Sequence, residues 1–84
     1  MMPRAGYNSL KRQNRKREFS ARINEQLRRL GWSVPHAAKA ARVQQDRMFR
    51  YSIGLSLPHR PTLLRIAEAF GVEPATLAPW ETGR

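Results

Sequence analysis

The sequence predicts an all-α fold: five short helices behind a basic N-terminal arm. Apolar residues recur at the three- and four-residue spacing of helices, and no segment alternates as a strand does. Glycines and prolines fall between the periodic runs, where helices stop and start. Basic residues crowd the beginning, with Arg4, Lys11, Arg12, Arg15, Lys16, Arg17 and Arg22 set against a single acid, Glu18.

Residues 1–18 read as a flexible arm, because Tyr7 and Leu10 are its only large apolar anchors. Lys11/Arg15 and Arg12/Lys16 repel across one helical turn, so the last part of the arm is expected to become helical when phosphates neutralise it. A domain is expected over 19–80. Phe19, Ile23, Leu27 and Leu30 mark its first helix, stopped by Gly31. Ser33 is placed to cap a second helix, VPHAAKAA, with Pro35 tolerated in its first turn. The alanines of that helix permit close approach of its neighbours. On a wheel of about 100° per residue, residues 44–53 put Met48, Tyr51 and Ser52 on one side. Asp46, Phe49, Arg50 and Ile53 fall on the other, with Arg47 at the margin. Gly54 closes this helix, and LSLPHRP reads as a loop. TLLRIAEAF presents Leu63, Ile66, Ala67 and Phe70 on one face and ends at Gly71. Glu73 and Pro74 start a last short helix, where Leu77 and Trp80 can bury. Residues 81–84 read as a tail.

Composition narrows the function. The chain has 84 residues, enough for one domain, and a formal net charge of +10. Such an excess repels itself, and a polyanionic partner relieves the repulsion. Nucleic acid is the first expectation and an anionic membrane surface the second. There is no cysteine, which excludes disulfides, thiolate catalysis and Cys-ligated zinc. No apolar run approaches the roughly 20 residues of a membrane span. The N-terminus carries no hydrophobic stretch suited to secretion, so a cytoplasmic location is expected. His36 and His59 stand alone, without a nearby ligand set. No nucleophile, base and orienting group come together, so neither an enzyme nor a metal, cofactor or small-molecule site is expected.

A short helix, a tight turn and a second helix with a polar, basic outer face span about residues 33–53, a helix-turn-helix pattern. The run GWSVPHAAKAARVQQDRMFRYSIGLSLPHRPTLLRIAEAFGVEPATL resembles, without gaps, the DNA-binding domain of the Xre family, the lambda Cro/repressor-like regulators. Ser33 stands where the family caps its second helix, and Ala37-Ala38 replace its usual Leu-Ala. Val43, Met48 and Tyr51 sit at its apolar positions, and Gly54, Pro58, Leu63-Leu64, Ile66-Ala67 and Gly71-Val72 follow. Three departures stand out. Arg42 replaces the Gly that usually ends helix two. Leu27 and Ser52 replace a buried Arg–Glu pair found in some members, a swap that leaves no orphaned charge. Ile53 replaces a polar residue that often touches phosphate.

The resemblance covers residues 19–80 and implies a five-helix lambda-repressor-like domain. It implies a sequence-specific regulator of transcription binding double-stranded DNA, a small repressor or autoregulator with its third helix in the major groove. By position, Gln45, Asp46, Phe49 and Arg50 would read bases. Gln45 suits adenine and Arg50 guanine, Phe49 a thymine methyl, and Asp46 either cytosine or, as a partner of Arg50, its orientation. Ser33, Arg42, Gln44, Arg47 and Arg60 would contact the backbone and fix register. The arm residues Lys11, Arg12, Arg15, Lys16 and Arg17 would lie on the backbone or in the minor groove. A homodimer on a symmetric operator is implied, its recognition helices about 34 Å apart, with Leu77 and Trp80 as its expected interface. No segment after residue 80 reads as a sensor domain, so control through concentration, hence autorepression, is expected. Two alternatives remain open: an RNA-binding regulator, and an antitoxin-like subunit whose arm binds a protein.

Overall fold

A computed structural model describes residues 4–81, with side chains from Leu10 onward. Helix α1 runs Arg4–Leu30, α2 Val34–Ala41, α3 Gln45–Ser52, α4 Arg60–Phe70 and α5 Pro74–Leu77, followed by a 3-10 turn, Pro79–Glu81. Among the described residues every regular element is helical. The arm's first three residues and the tail's last three, 82–84, lie outside the described residues.

The boundary expected between a flexible arm and the first helix is absent. Arg4 to Leu30 form one helix. Between Tyr7 and Leu30 there is no Gly or Pro, and KRQNRKRE consists mostly of good helix formers. Like-charged pairs one turn apart cost only about 0.2–0.5 kcal/mol each. A helix already anchored at Phe19 extends without a fresh nucleation cost. The extension is also held at its side: the Arg15 guanidinium lies 5.6 Å from the centre of the Trp80 ring. The molecule measures 46 × 27 × 20 Å, and a 27-residue helix, about 40 Å long at 1.5 Å per residue, accounts for the long axis.

The core gathers the stripes expected from periodicity. Phe19, Ile23 and Leu27 come from α1, Ala37, Ala38 and Ala41 from α2, and Met48 and Tyr51 from α3. Leu63, Ile66, Ala67 and Phe70 come from α4, with Leu77 and Ala78 below them. α2 packs on both α3 and α4, its alanines allowing close approach, while α1 braces α3 and α5. The Phe19 and Tyr51 rings meet edge to face at 6.0 Å. Leu27 and Ser52 are both buried, an apolar and a small hydroxyl side chain side-stepping the desolvation of a charge pair.

Two expectations near the C-terminus need correction. Leu77 is fully buried within the single chain, so its side chain has no surface to offer a second copy. Trp80 is half-buried, packed on the core and covered by Arg15. Of the dimer interface assigned to these residues, Leu77 belongs to the interior packing of the monomer, and Trp80 does so in part. Glu81, placed in the tail, belongs to the 3-10 turn and pairs with Arg60 at 3.0 Å.

Helix C-termini leave carbonyls without intrahelical partners, and here other helices supply them. Arg65 of α4 donates to Ala41 O at 3.3 Å, closing α2. Ser20 and Asn24 of α1 donate to Ser52 O at 2.6 and 2.8 Å, closing α3. Arg29 donates to Phe70 O at 2.9 Å, and Arg22 to Thr76 O at 2.9 Å, closing α4 and α5. Each of the three arginines also sits at the negative end of a helix dipole, where a cation is favoured. Three arginines thus serve the fold itself, and the net charge of +10 overstates the cations aimed outward.

α2 and α4 end in the same left-handed geometry with different residues. Gly71 after α4 has φ 74° and Arg42 after α2 has φ 57°. The turn after α2 keeps its shape although Arg replaces the freer glycine, a substitution costing about 1–2 kcal/mol. Hydrogen bonds from Arg42 N to Lys39 O and from Val43 N to Ala38 O hold it.

Candidate nucleic-acid interface

α3 is fixed by one face and free on the other. Met48 is fully buried, and Tyr51 and Ser52 nearly so. Ser52 Oγ donates to Phe49 O at 2.7 Å, while Ser52 O takes the two bonds from α1. The helix thereby has a defined rotation, the one expected from its sequence. Its outer face carries Gln45, Asp46, Phe49 and Arg50, all exposed, with Ile53 exposed at its end. The four residues expected to read bases therefore share one accessible surface.

Asp46 and Arg50 are joined at 2.8 Å across one turn, with side chains 68% and 54% exposed. Water screens a pair so open, and it contributes about 0.3–0.5 kcal/mol. The carboxylate orients the guanidinium but holds it weakly, so a stronger bidentate acceptor can displace it. Asp46 also lies in the first turn of α3, where negative charge complements the helix dipole.

The start of α2 borders this surface. Ser33 caps α2, its Oγ accepting from His36 N at 3.2 Å. Val34 and Pro35 form an open, largely apolar cleft with Gln45, Asp46 and Phe49. Ser33 and the first amides of α2 thus stand at the edge of the α3 face. Gln44 and Arg47 are exposed around the start of α3. The other two residues expected on the backbone are drawn elsewhere. Arg42 lines a separate groove with Ala40, Arg65 and Glu68, between α2 and α4. Arg60 is turned toward Glu81.

The basic half of α1 meets the far end of α3. Arg12, Lys16, Ser20 and Asn24 are spaced four apart and form one stripe on α1. The last two of them hold Ser52 O. Gly54, with φ +80°, passes so close that a Cβ there would lie 3.7 Å from Lys16 O. The α1 backbone at Lys16 thus packs beside the turn that follows α3, with Arg12 one helical turn before it. Lys11, Arg12 and Arg15 also flank a shallow groove with Leu57, while Arg17 is exposed. The minor-groove placement considered for the arm does not suit a helix. A helix is about 10–12 Å across, and the minor groove is about 6 Å wide.

Sequence reading did not identify Ser20 and Asn24, which aim α3. The available signal was two small polar residues one turn apart, beside the apolar series Phe19, Ile23 and Leu27. Their acceptor lies on another helix, which no local pattern names. His36 packs against Trp32 with ring centres 4.6 Å apart and planes tilted by 48°, and His59 precedes α4 as its cap residue. Among the described residues no His, Asp or Glu cluster has the arrangement of a metal site, and no helix is long and apolar enough to cross a membrane.

No protein-family model matches the chain, and neither a curated protein nor a solved structure does.

Proposed function

We propose that the chain is a sequence-reading, duplex-DNA-binding regulator of transcription in which α2 and α3 act as a helix-turn-helix of the Xre, lambda-repressor-like kind. The observation that carries this reading is the division of α3. Met48, Tyr51 and Ser52 lock one face into the core, and Gln45, Asp46, Phe49 and Arg50 crowd the other. An amide and a guanidinium on one exposed helical face are the donors suited to purine edges in the major groove. Ser33 and the α2 amides, with Gln44 and Arg47, contact flanking phosphates.

The basic stripe of α1 adds a second phosphate contact. With α3 in the groove, Arg12 and Lys16 extend beyond its C-terminal end, where the backbone rises. They lie on the backbone as a rigid ridge, and they offset the negative end of the α3 dipole that would otherwise face phosphate. The regulator works in the cytoplasm and limits its own production.

Selection of duplexes from a random pool, followed by titration at several salt concentrations, tests this reading. One consensus site is expected, with affinity falling steeply with salt. Arg12→Ala and Lys16→Ala should each flatten the log–log salt slope by about 0.9 and leave the consensus unchanged. Equal affinity for every duplex, or tighter binding of single-stranded RNA at equal salt, would refute it. Footprinting on the gene's own promoter tests the autorepression.

One observation favours a second reading. Phe49, Ile53 and Leu55 are exposed together, and an exposed apolar group is also what a protein partner covers. An antitoxin-like subunit would co-purify with that partner in stoichiometric amount and show no duplex consensus.

A further inference from the structure

α1, the loop before α4, α4 itself and the C-terminal turn surround a cleft of about 150 Å³. Phe19, Leu63 and Ala78 are its buried apolar lining, and Leu57, Pro58 and Trp80 are half-buried around them. Two charged side chains complete it, Arg15 and Glu81, both half-buried. They carry opposite charges in one small cleft and yet do not pair. Among the described residues the ion pairs are Glu18–Arg22, Asp46–Arg50 and Arg60–Glu81. The Arg15 guanidinium lies instead over the Trp80 ring, 5.6 Å from its centre. Arg60 takes only Oε1 of Glu81, at 3.0 Å, and a carboxylate has further lone pairs on its second oxygen.

An apolar hollow with a cation and an anion held apart suits a molecule that joins an apolar body to both charges. We propose that the cleft binds a free α-amino acid with a branched aliphatic side chain, of the size of valine or leucine. Its carboxylate meets the Arg15 guanidinium, whose parallel donors match two carboxylate oxygens. Its ammonium meets Glu81 Oε2, and its side chain lies on Leu57, Pro58 and Leu63. A hollow of this volume takes a body about the size of benzene, which suits such a side chain and is too small for an indole. A plain anion is disfavoured by Glu81, and a plain cation by Arg15. The cleft shares no residue with the outer face of α3, so the inference stands apart from the DNA reading. The sequence held no sign of the site, because its lining comes from separate segments and no local pattern joins them.

The test uses the full chain and L-leucine, followed by heteronuclear NMR. Saturable shifts are expected at Arg15, Leu57 and the Trp80 indole, with a dissociation constant below about 1 mM. Isocaproate lacks the ammonium and isoamylamine lacks the carboxylate. Each should bind about tenfold more weakly than L-leucine, the effect of one lost hydrogen bond between charged groups. Arg15→Gln should weaken L-leucine by a similar factor and spare isoamylamine. Glu81→Gln should weaken L-leucine and spare isocaproate. Circular dichroism should show both variants folded, and the analogue series tests the site on the parent chain without any substitution. Isocaproate binding as tightly as L-leucine would overturn the proposal, as would L-leucine binding that Arg15→Gln leaves unchanged. Absence of saturable shifts with both L-leucine and L-valine would overturn it as well. None of these results bears on the selection of a duplex, so the two readings fail separately.

Discussion

α4 turns Leu63, Ile66, Ala67 and Phe70 into the core and leaves only Leu64 partly open. α3 buries Met48 and Tyr51 but holds Phe49 outward, with Ile53 outward just past its end. Both helices are amphipathic, yet only α4 uses nearly all its large apolar side chains for packing. A core requirement explains α4 apart from Leu64. It explains the buried half of α3 and leaves the exposure of Phe49 and Ile53 unexplained. The same contrast holds at the helix ends. α4 stops at a glycine and α2, which leads into α3, stops at an arginine in the same left-handed geometry.

Substitutions across the two helices should separate scaffold from surface. The largest losses are expected from Ile66→Ala and Met48→Ala, which remove fully buried side chains and should each cost about 2–5 kcal/mol in denaturant titrations. Phe49→Ala should stay within about 0.5 kcal/mol of the parent. Comparable losses for Phe49→Ala and Met48→Ala would mean that the two faces of α3 are exchanged.

Next in size is the anchor beneath α3. Ser20→Ala together with Asn24→Ala strips Ser52 O of both side-chain donors and should cost about 1–3 kcal/mol. Hydrogen exchange should rise in α3 ahead of α4, and equal loosening of both would mean that the anchor is not local. Arg42→Gly should stabilise the domain by about 1 kcal/mol, while Gly71→Ala should destabilise it by a similar amount. Two destabilising results would show that the Arg42 side chain matters more to the fold than its backbone strain. Asp46→Ala is expected to have the smallest effect on stability, under about 0.5 kcal/mol, because its ion pair is open to water.

Much of the fold could be read locally. Ser33 and Gly71 took the cap positions their neighbours implied. The rotation of α3 followed from Met48 and Tyr51 alone, and with it the exposure of Gln45, Asp46, Phe49 and Arg50. The readings that failed all turned on a distant partner. The arm was expected to be flexible because it has little apolar surface to bury, but its Arg15 guanidinium lies over the ring of Trp80, far along the chain. Leu77 was offered to a second copy, although the pocket that consumes it is built by helices of its own chain. Arg22, Arg29 and Arg65 counted toward a polyanion in the sequence, and in space they close helices.

By itself the sequence determined which segments are helical, where most of them begin and end, and which face of each is apolar. Those features depend on neighbours within a turn or two, through propensity, capping and periodicity. Only the tertiary structure decided how far α1 extends, which cations remain available, what holds α3 against α1, and that the α1 backbone at Lys16 passes beside Gly54. Each of these depends on groups brought together from distant parts of the chain, where a hydrogen bond or a buried contact is set by packing and no local pattern records it.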